Sequence, residues 1–257
     1  MCTIAILFRV ADVPLVIAAN RDELYARPTR PPEVLGPAIV GGVDALSGGT
    51  WLAVNRAGRF AAVTNQRALD TPPGGLRSRG LAVKELAMAD DQDAYVEREI
   101  EPRIYASMNL VWGDAERVSV AYLRREANEK IIERLEPGVH VLCNDRLGAT
   151  DFPRGDRLHA AITKALEHSH AYSELVKAIE IALRDHTRVA LEDTPPSHLP
   201  PELGRELTAA CIHSEHYGTR SSTLIAIDKD RVVSYLHADG SPCTAAYEDR
   251  LELLDGA

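Results

Sequence analysis

The sequence predicts an α+β fold built on antiparallel sheets, and three observations carry this. Short apolar runs come in clusters separated by tight polar turns. Helical periodicity is confined to two later pairs of segments. The regular strand–helix alternation of a parallel doubly wound sheet is missing. Taken in order, Cys2 to Phe8 and Leu15 to Ala19 read as strands joined across Ala11-Asp12-Val13-Pro14, so residue 2 begins a strand of an N-terminal hairpin. Ala38 to Val40, Thr50 to Val54 and Phe60 to Thr64 follow between Gly-rich and Asn-Arg-Ala-Gly turns, and the first 65 residues read as an antiparallel meander, with a loop at Tyr25 to Pro32. Apolar spacing of three and four predicts helices over Arg79 to Ala89 and Asp93 to Ile100, with Asp90-Asp91 as break and cap. Strands return at Met108 to Trp112, Val118 to Leu123, Ile131 to Arg134 and Val139 to Leu142, before helices near Gly155 to Leu166 and Ser173 to Arg184. Four prolines within Pro195 to Pro201 mark a surface loop. Thr223 to Ile227 and Val232 to His237 then form a closing hairpin over Asp228-Lys229-Asp230, expected to complete an earlier sheet. No linker splits the chain, so a single domain over 1–257 is expected.

Composition narrows the function classes. Hydrophobic residues at 45% and charged residues at 26% are those of a globular chain. With 29 Lys and Arg against 38 Asp and Glu the net charge is −9, and no basic run interrupts it, which argues against a nucleic-acid partner. The four cysteines, Cys2, Cys143, Cys211 and Cys243, are too few and too scattered for a disulfide scaffold, and a cytoplasmic protein with reduced thiols is expected. The apolar stretch Thr3 to Phe8 is too short for a signal sequence and is followed by Arg9 and Asp12, so neither export nor a membrane span is expected. A small-molecule substrate or ligand is the partner that remains.

Residue 2 carries the chemistry. Removal of Met1 would leave the Cys2 thiol on the same residue as a free α-amine, so one residue holds both nucleophile and base. With reference pKa values of about 8.5 and roughly 7.7 to 8.0, moving the proton from sulfur to nitrogen costs only about 1 kcal/mol. With Met1 attached, that nitrogen is an amide without a basic lone pair.

The remaining motifs point the same way. Met1-Cys2-Thr3-Ile4, Asn20-Arg21-Asp22-Glu23, Gly48-Gly49-Thr50-Trp51 and Gly58-Arg59-Phe60-Ala61-Ala62-Val63-Thr64-Asn65 stand in that order, followed by Ser78-Arg79-Gly80, Met108-Asn109-Leu110, Leu142-Cys143-Asn144 and Tyr217-Gly218-Thr219-Arg220-Ser221-Ser222-Thr223. In these segments the chain resembles the NRDE family over nearly its whole length. The resemblance implies the N-terminal-nucleophile hydrolase superfamily and its αββα sandwich, two stacked antiparallel sheets covered by helices. A weaker resemblance extends to bile-salt hydrolases and penicillin V acylases. It implies that Asp22 accepts a hydrogen bond from the α-amine of Cys2, with Asn20 in support on the same strand face, and that Asn65 and Asn144 stabilise the oxyanion. Arg220 is expected to pair with Asp22 or to hold a substrate carboxylate. Those relatives carry an Arg where this chain has Ala19, and Arg21 is expected to point to the opposite face and not to replace it. Asn20, Arg21 and Trp51 are the expected substrate-binding residues, Trp51 reading as core with a pocket wall as the alternative, and Glu23 and Arg27 read as surface residues or the mouth of the site.

Two functions follow. One is an N-terminal cysteine amidohydrolase or acyltransferase acting on an amide or thioester, with no cofactor required. The other, implied by the family resemblance, is a binding or trafficking protein for haem or an acyl-coenzyme A thioester or lipid on the same fold. His213-Ser214-Glu215-His216 offers two histidines three apart without a helix to align them, so no metal is expected there. Cys143, Cys211 and Cys243 read as buried or incidental thiols, with Cys143 open to an approach to Cys2.

Overall fold

The computed structural model describes residues 2–67, 73–196 and 199–255. β1 (Cys2–Phe8) and β2 (Leu15–Leu24) form the expected hairpin, with Cys2 opposite Arg21 and Phe8 opposite Leu15. The chain then crosses to a second sheet for β3 (Thr29–Gly36), β4 (Ile39–Asp44), β5 (Leu52–Asn55) and β6 (Phe60–Asn65). The first 65 residues are therefore divided between two sheets and are not one meander. Helices α1 (Arg79–Met88) and α2 (Gln92–Glu99) come next. Asp91 caps α2 as expected, its side chain accepting from the Ala94 N–H at 3.0 Å.

β7 (Met108–Gly113), β8 (Val118–Arg124) and β9 (Glu129–Arg134) finish the second sheet, in the order β3-β4-β5-β6-β7-β8-β9. β10 (Gly138–Leu142) returns to the first sheet, and α3 (Pro153–Leu166), α4 (Tyr172–Leu183) and the short α5 (Pro201–Glu206) precede β11 (Tyr217–Asp228), β12 (Arg231–Ala238) and β13 (Glu248–Asp249). The first sheet is ordered β10-β1-β2-β11-β12-β13, so the closing hairpin does complete the sheet that the N-terminus began. The proline-rich loop runs directly into α5, whose first position Pro201 suits an N–H that needs no partner; residues 197 and 198 of that loop lie outside the described residues.

Side-chain alternation makes the layers. Ile4, Ile6, Phe8, Leu15 and Ile17 point between the sheets and meet Val54, Phe60, Val111 and Val120 of the opposite one. Ala5, Leu7, Val16 and Ala18 point outward under Leu158 and Ile162 of α3 and Leu175 and Ile179 of α4. On the far side Ala61, Leu110 and Trp112 lie under Leu86 of α1 and Val96 of α2. The order helix, sheet, sheet, helix buries both faces of β1, which explains its unbroken apolar run; each buried Ile or Leu there contributes about 1.5–3 kcal/mol. Among the described residues no helix is long and apolar enough to cross a membrane, and the four cysteines are free.

Candidate active site

Cys2 begins β1 at the end of the first sheet where β2 and β11 also meet, and its half-buried thiol lines a cavity of about 610 Å³ together with Arg21, Trp51, Asn65, Ser78 and Arg79. Met1 lies outside the described residues. Burial pushes the Cys2 thiol above its ordinary pKa, and the Asp22 charge adds to this, while Arg21 and the Asp22 backbone N–H pull it down. Arg21 corrects one expectation from sequence. Residues two apart on a strand share a face, so Arg21 lies on the same face as Ala19, directly across from Cys2. Its guanidinium stacks over the Trp51 ring at 4.2 Å. Its Nη1 is buried without a hydrogen-bond partner among the described residues. Arg21 thus places a positive charge opposite Cys2, and Arg79, at the first position of α1, adds another whose charge also interacts with Cys2. The Trp51 ring reaches its place because Gly42 has no side chain; a Cβ there would lie 2.2 Å from it.

Asp22 is 1% exposed, with Oδ1 accepting from the Thr219 hydroxyl at 2.7 Å and Oδ2 lying 3.9 Å from the Arg154 guanidinium. Burial pushes its carboxyl pKa up, against the opposing pull of Arg154 and the Thr219 hydrogen bond. Asn20 does not enter the site. It is fully buried and its amide donates to the carbonyls of Leu183 and Ala210, both at 2.9 Å, tying β2 to the end of α4 and to the segment before β11. Arg220 is likewise corrected. It sits at the bulge of β11 opposite Asp22 and Arg21, and its guanidinium is turned to the carbonyls of Leu24, Tyr25 and Arg27. The cation beside Asp22 is Arg154.

Asn65 ends β6 and lines the Cys2 cavity. Asn144 stands behind it, its Nδ2 donating to the Asn65 carbonyl at 2.8 Å and its Oδ1 accepting from Arg154, and it lines a second cavity of about 690 Å³. Asn65 and Glu23 border both cavities, which adjoin there as a polar lobe at Cys2 and an apolar lobe walled by Leu24, Phe152, Leu203 and Leu207. Cys143 does not join Cys2; it packs beneath α3, where a Cβ on Gly155 would lie 2.9 Å from its sulfur. Sequence reasoning missed Arg154 and Thr219. Arg154 stands in the first turn of α3, where the helix dipole disfavours a cation, and that mismatch is the signal that it has a partner elsewhere.

The model of the family described as Transport and Golgi organisation 2 matches residues 1–239. The chain belongs to the Transport and Golgi organisation 2 family. Relatives within the family include the Transport and Golgi organization protein 2 homolog of Homo sapiens, 29% identical over 240 residues that cover 86% of this chain and 84% of that protein. The Drosophila melanogaster protein is 24% identical over 246 residues, with the same coverage. Among solved structures, this family member resembles the penicillin V acylase of Agrobacterium tumefaciens, with a TM-score of 0.58 and 13% identity over 100% of this chain and 89% of that one. It also resembles a C2A mutant of the conjugated bile acid hydrolase of Clostridium perfringens, with a TM-score of 0.51 and 11% identity over 97% and 96% of the two chains. A Caenorhabditis elegans orthologue of N-acylethanolamine-hydrolyzing acid amidase gives a TM-score of 0.51 and 11% identity over 88% and 92%. The fold of this Transport and Golgi organisation 2 chain is accordingly that of the N-terminal-nucleophile hydrolases.

Proposed function

We propose that the chain is an N-terminal cysteine amidohydrolase or acyltransferase, with Cys2 as nucleophile once Met1 has been removed. The observation that carries this reading is the thiol of the first strand, facing a cavity between Arg21 and Arg79, with a buried carboxylate, Asp22, held in place on the next strand by Thr219 and Arg154. The acylase and amidase names of its structural neighbours lend support. The α-amine takes the thiol proton, and Asp22 accepts a hydrogen bond from the resulting ammonium. The sulfur attacks the carbonyl carbon, and the charge that develops on oxygen falls where Asn65 and the two guanidinium groups can stabilise it. As the tetrahedral species collapses, the ammonium returns its proton to the departing amine or thiol, and water or a second amine then releases the acyl group.

The cleft suggests the substrate class. An acyl chain fits the lobe walled by Leu24, Phe152, Leu203 and Leu207, and a polar or anionic group fits the arginine-bearing lobe. The same amphipathic cleft favours, as the second reading, a carrier that binds an acyl thioester without turning it over. Intact mass of the purified protein gives the state of Met1, and a panel of chromogenic acyl amides and acyl thioesters gives turnover. The expected result is an N-terminal Cys2, an acyl adduct on it, and complete loss of both adduct and product in Cys2→Ala. A wild type that binds acyl thioester as tightly as Cys2→Ala does, yet never releases product, supports the carrier instead.

A further inference from the structure

Four side chains outside the Cys2 site converge on one another. His186 follows α4, Cys211 and His213 lie on the segment leading into β11, and Cys243 lies on the turn after β12. His213 Nε2 is 3.2 Å from the Cys243 sulfur and 3.7 Å from the Cys211 sulfur, the two sulfurs are 3.7 Å apart, and one ligand atom from each of the four lies within 4.8 Å of all the others. A tetrahedral ion with metal–sulfur bonds of about 2.3 Å and metal–nitrogen bonds of about 2.0 Å needs edges of about 3.8 Å between sulfurs and about 3.5 Å between sulfur and nitrogen. The separations among Cys211, His213 and Cys243 lie within about 0.3 Å of those edges, and His186 stands within 4.8 Å of all three, about 1 Å of side-chain adjustment from closing the tetrahedron. His186 hydrogen-bonds through Nδ1 to the Cys211 carbonyl at 3.0 Å, the kind of backbone contact that orients a metal-binding imidazole. The two histidines three apart in the sequence, His213 and His216, gave no reason to expect a metal. The fold instead pairs His213 with residues 27 and 30 positions away, a grouping that no local motif reveals.

We propose that His186, Cys211, His213 and Cys243 bind one structural zinc ion. Two thiolates with two imidazoles form the donor set that selects zinc among the common divalent ions, and binding releases the two thiol protons. The ion joins the end of α4, the segment before β11 and the turn after β12 at a place that bears on Asp22. Next to Cys211, the Ile212 N–H donates to the Thr219 hydroxyl, which itself donates to Asp22, and the Ala210 carbonyl accepts from Asn20. Zinc here braces the strand that orients the Asp22 carboxylate without touching Cys2.

Cobalt titration of the full, reduced, metal-free chain tests this, because tetrahedral cobalt bound to thiolates has intense visible bands and a thiolate-to-metal charge-transfer band, whereas octahedral cobalt is almost colourless. One cobalt per chain with both features, displaced by one equivalent of zinc, is the expected result. Cys243→Ser weakens binding by about tenfold or more and loses charge-transfer intensity, while Cys2→Ala keeps both. Only faint octahedral absorption in the wild type, or a Cys243→Ser variant that binds as the wild type does, overturns the proposal. Should Cys243→Ser fail to fold, the wild-type cobalt spectrum alone decides.

Discussion

Across the first two strands, Cys2 and Arg21 hold each other in a definite electrostatic state: burial raises the thiol pKa and the guanidinium opposes it. Arg21→Leu removes the opposing charge, so the thiol pKa moves further up and less of the sulfur is ionised at a given pH. At pH 8, alkylation of Cys2 by iodoacetamide should then slow about three- to tenfold, because the thiolate is the reacting form and its population falls in step with the rise in pKa. Peptide-resolved mass spectrometry measures the rate, and equal rates in variant and wild type would mean that sulfur and guanidinium are not coupled. Asp22 and Arg154 form a second coupled pair. Asp22→Asn leaves a buried guanidinium without its counter-charge and should cost about 3 kcal/mol in urea unfolding, whereas Asp22→Asn with Arg154→Met should cost less than the two single changes together. Additive losses would show that the carboxylate and guanidinium do not interact. That Cys2, Asp22 and Asn65 gather at one cavity was legible in the sequence, because each sits at or near a strand end within a motif. Arg154 was not, since its meaning comes from a contact 132 positions away in the chain that no local pattern encodes. The Ala19 departure misled for a simpler reason: the parity of the pleat puts positions 19 and 21 on one face.

At the scale of elements, periodicity revealed what is buried and missed what is not. β1, β6 and β8 are apolar on both faces, and α3 and α4 carry clear apolar stripes, so their existence could be read directly. β3 could not. Its Thr29-Arg30-Pro31-Pro32 start reads as loop, yet it is the edge strand of the second sheet, the place in a sheet where proline costs no ladder hydrogen bond, and its pairing slips between Arg30 and Glu33. The first half of β11, Tyr217 to Ser222, was visible only as a motif because its polar side chains hydrogen-bond to β2 and its neighbours instead of filling the apolar core. β4 and β5 pair directly, and just before β5 the Trp51 ring packs closely over Gly42 of β4. Gly42→Ala pushes that ring outward, so it should destabilise the protein by about 1–3 kcal/mol and change the emission of Trp51, which shares the chain with a single other tryptophan, the buried Trp112. A spectrum and unfolding midpoint identical to wild type would show that the ring does not rest on Gly42.

For the whole molecule, the space between the sheets sets how stability responds to acid. That space is apolar except near its end, where His237 on β12 is 1% exposed and shares a hydrogen bond of 2.9 Å between its Nδ1 and the Thr223 hydroxyl on β11. Burial, with the Arg250 charge adding to it, lowers the His237 pKa from 6.5 to about 4. Between those two values the unfolded chain binds a proton that the folded chain excludes, so stability contributed by neutral His237 is fully present above about pH 6.5 and is lost as the pH falls toward 4. That interval corresponds to roughly 3 kcal/mol, a large share of the roughly 5–15 kcal/mol typical of a domain. Asp22, whose pKa burial raises, acts in the opposite sense, losing stability as pH rises through its folded pKa, so it cannot be the source of an acid-side loss. His237→Leu should therefore flatten the fall in unfolding free energy between about pH 6.5 and 4.5, while the wild type loses a few kcal/mol over the same span. Urea unfolding at a series of pH values distinguishes the two. Parallel curves for wild type and variant would show that acid sensitivity arises elsewhere than between the sheets.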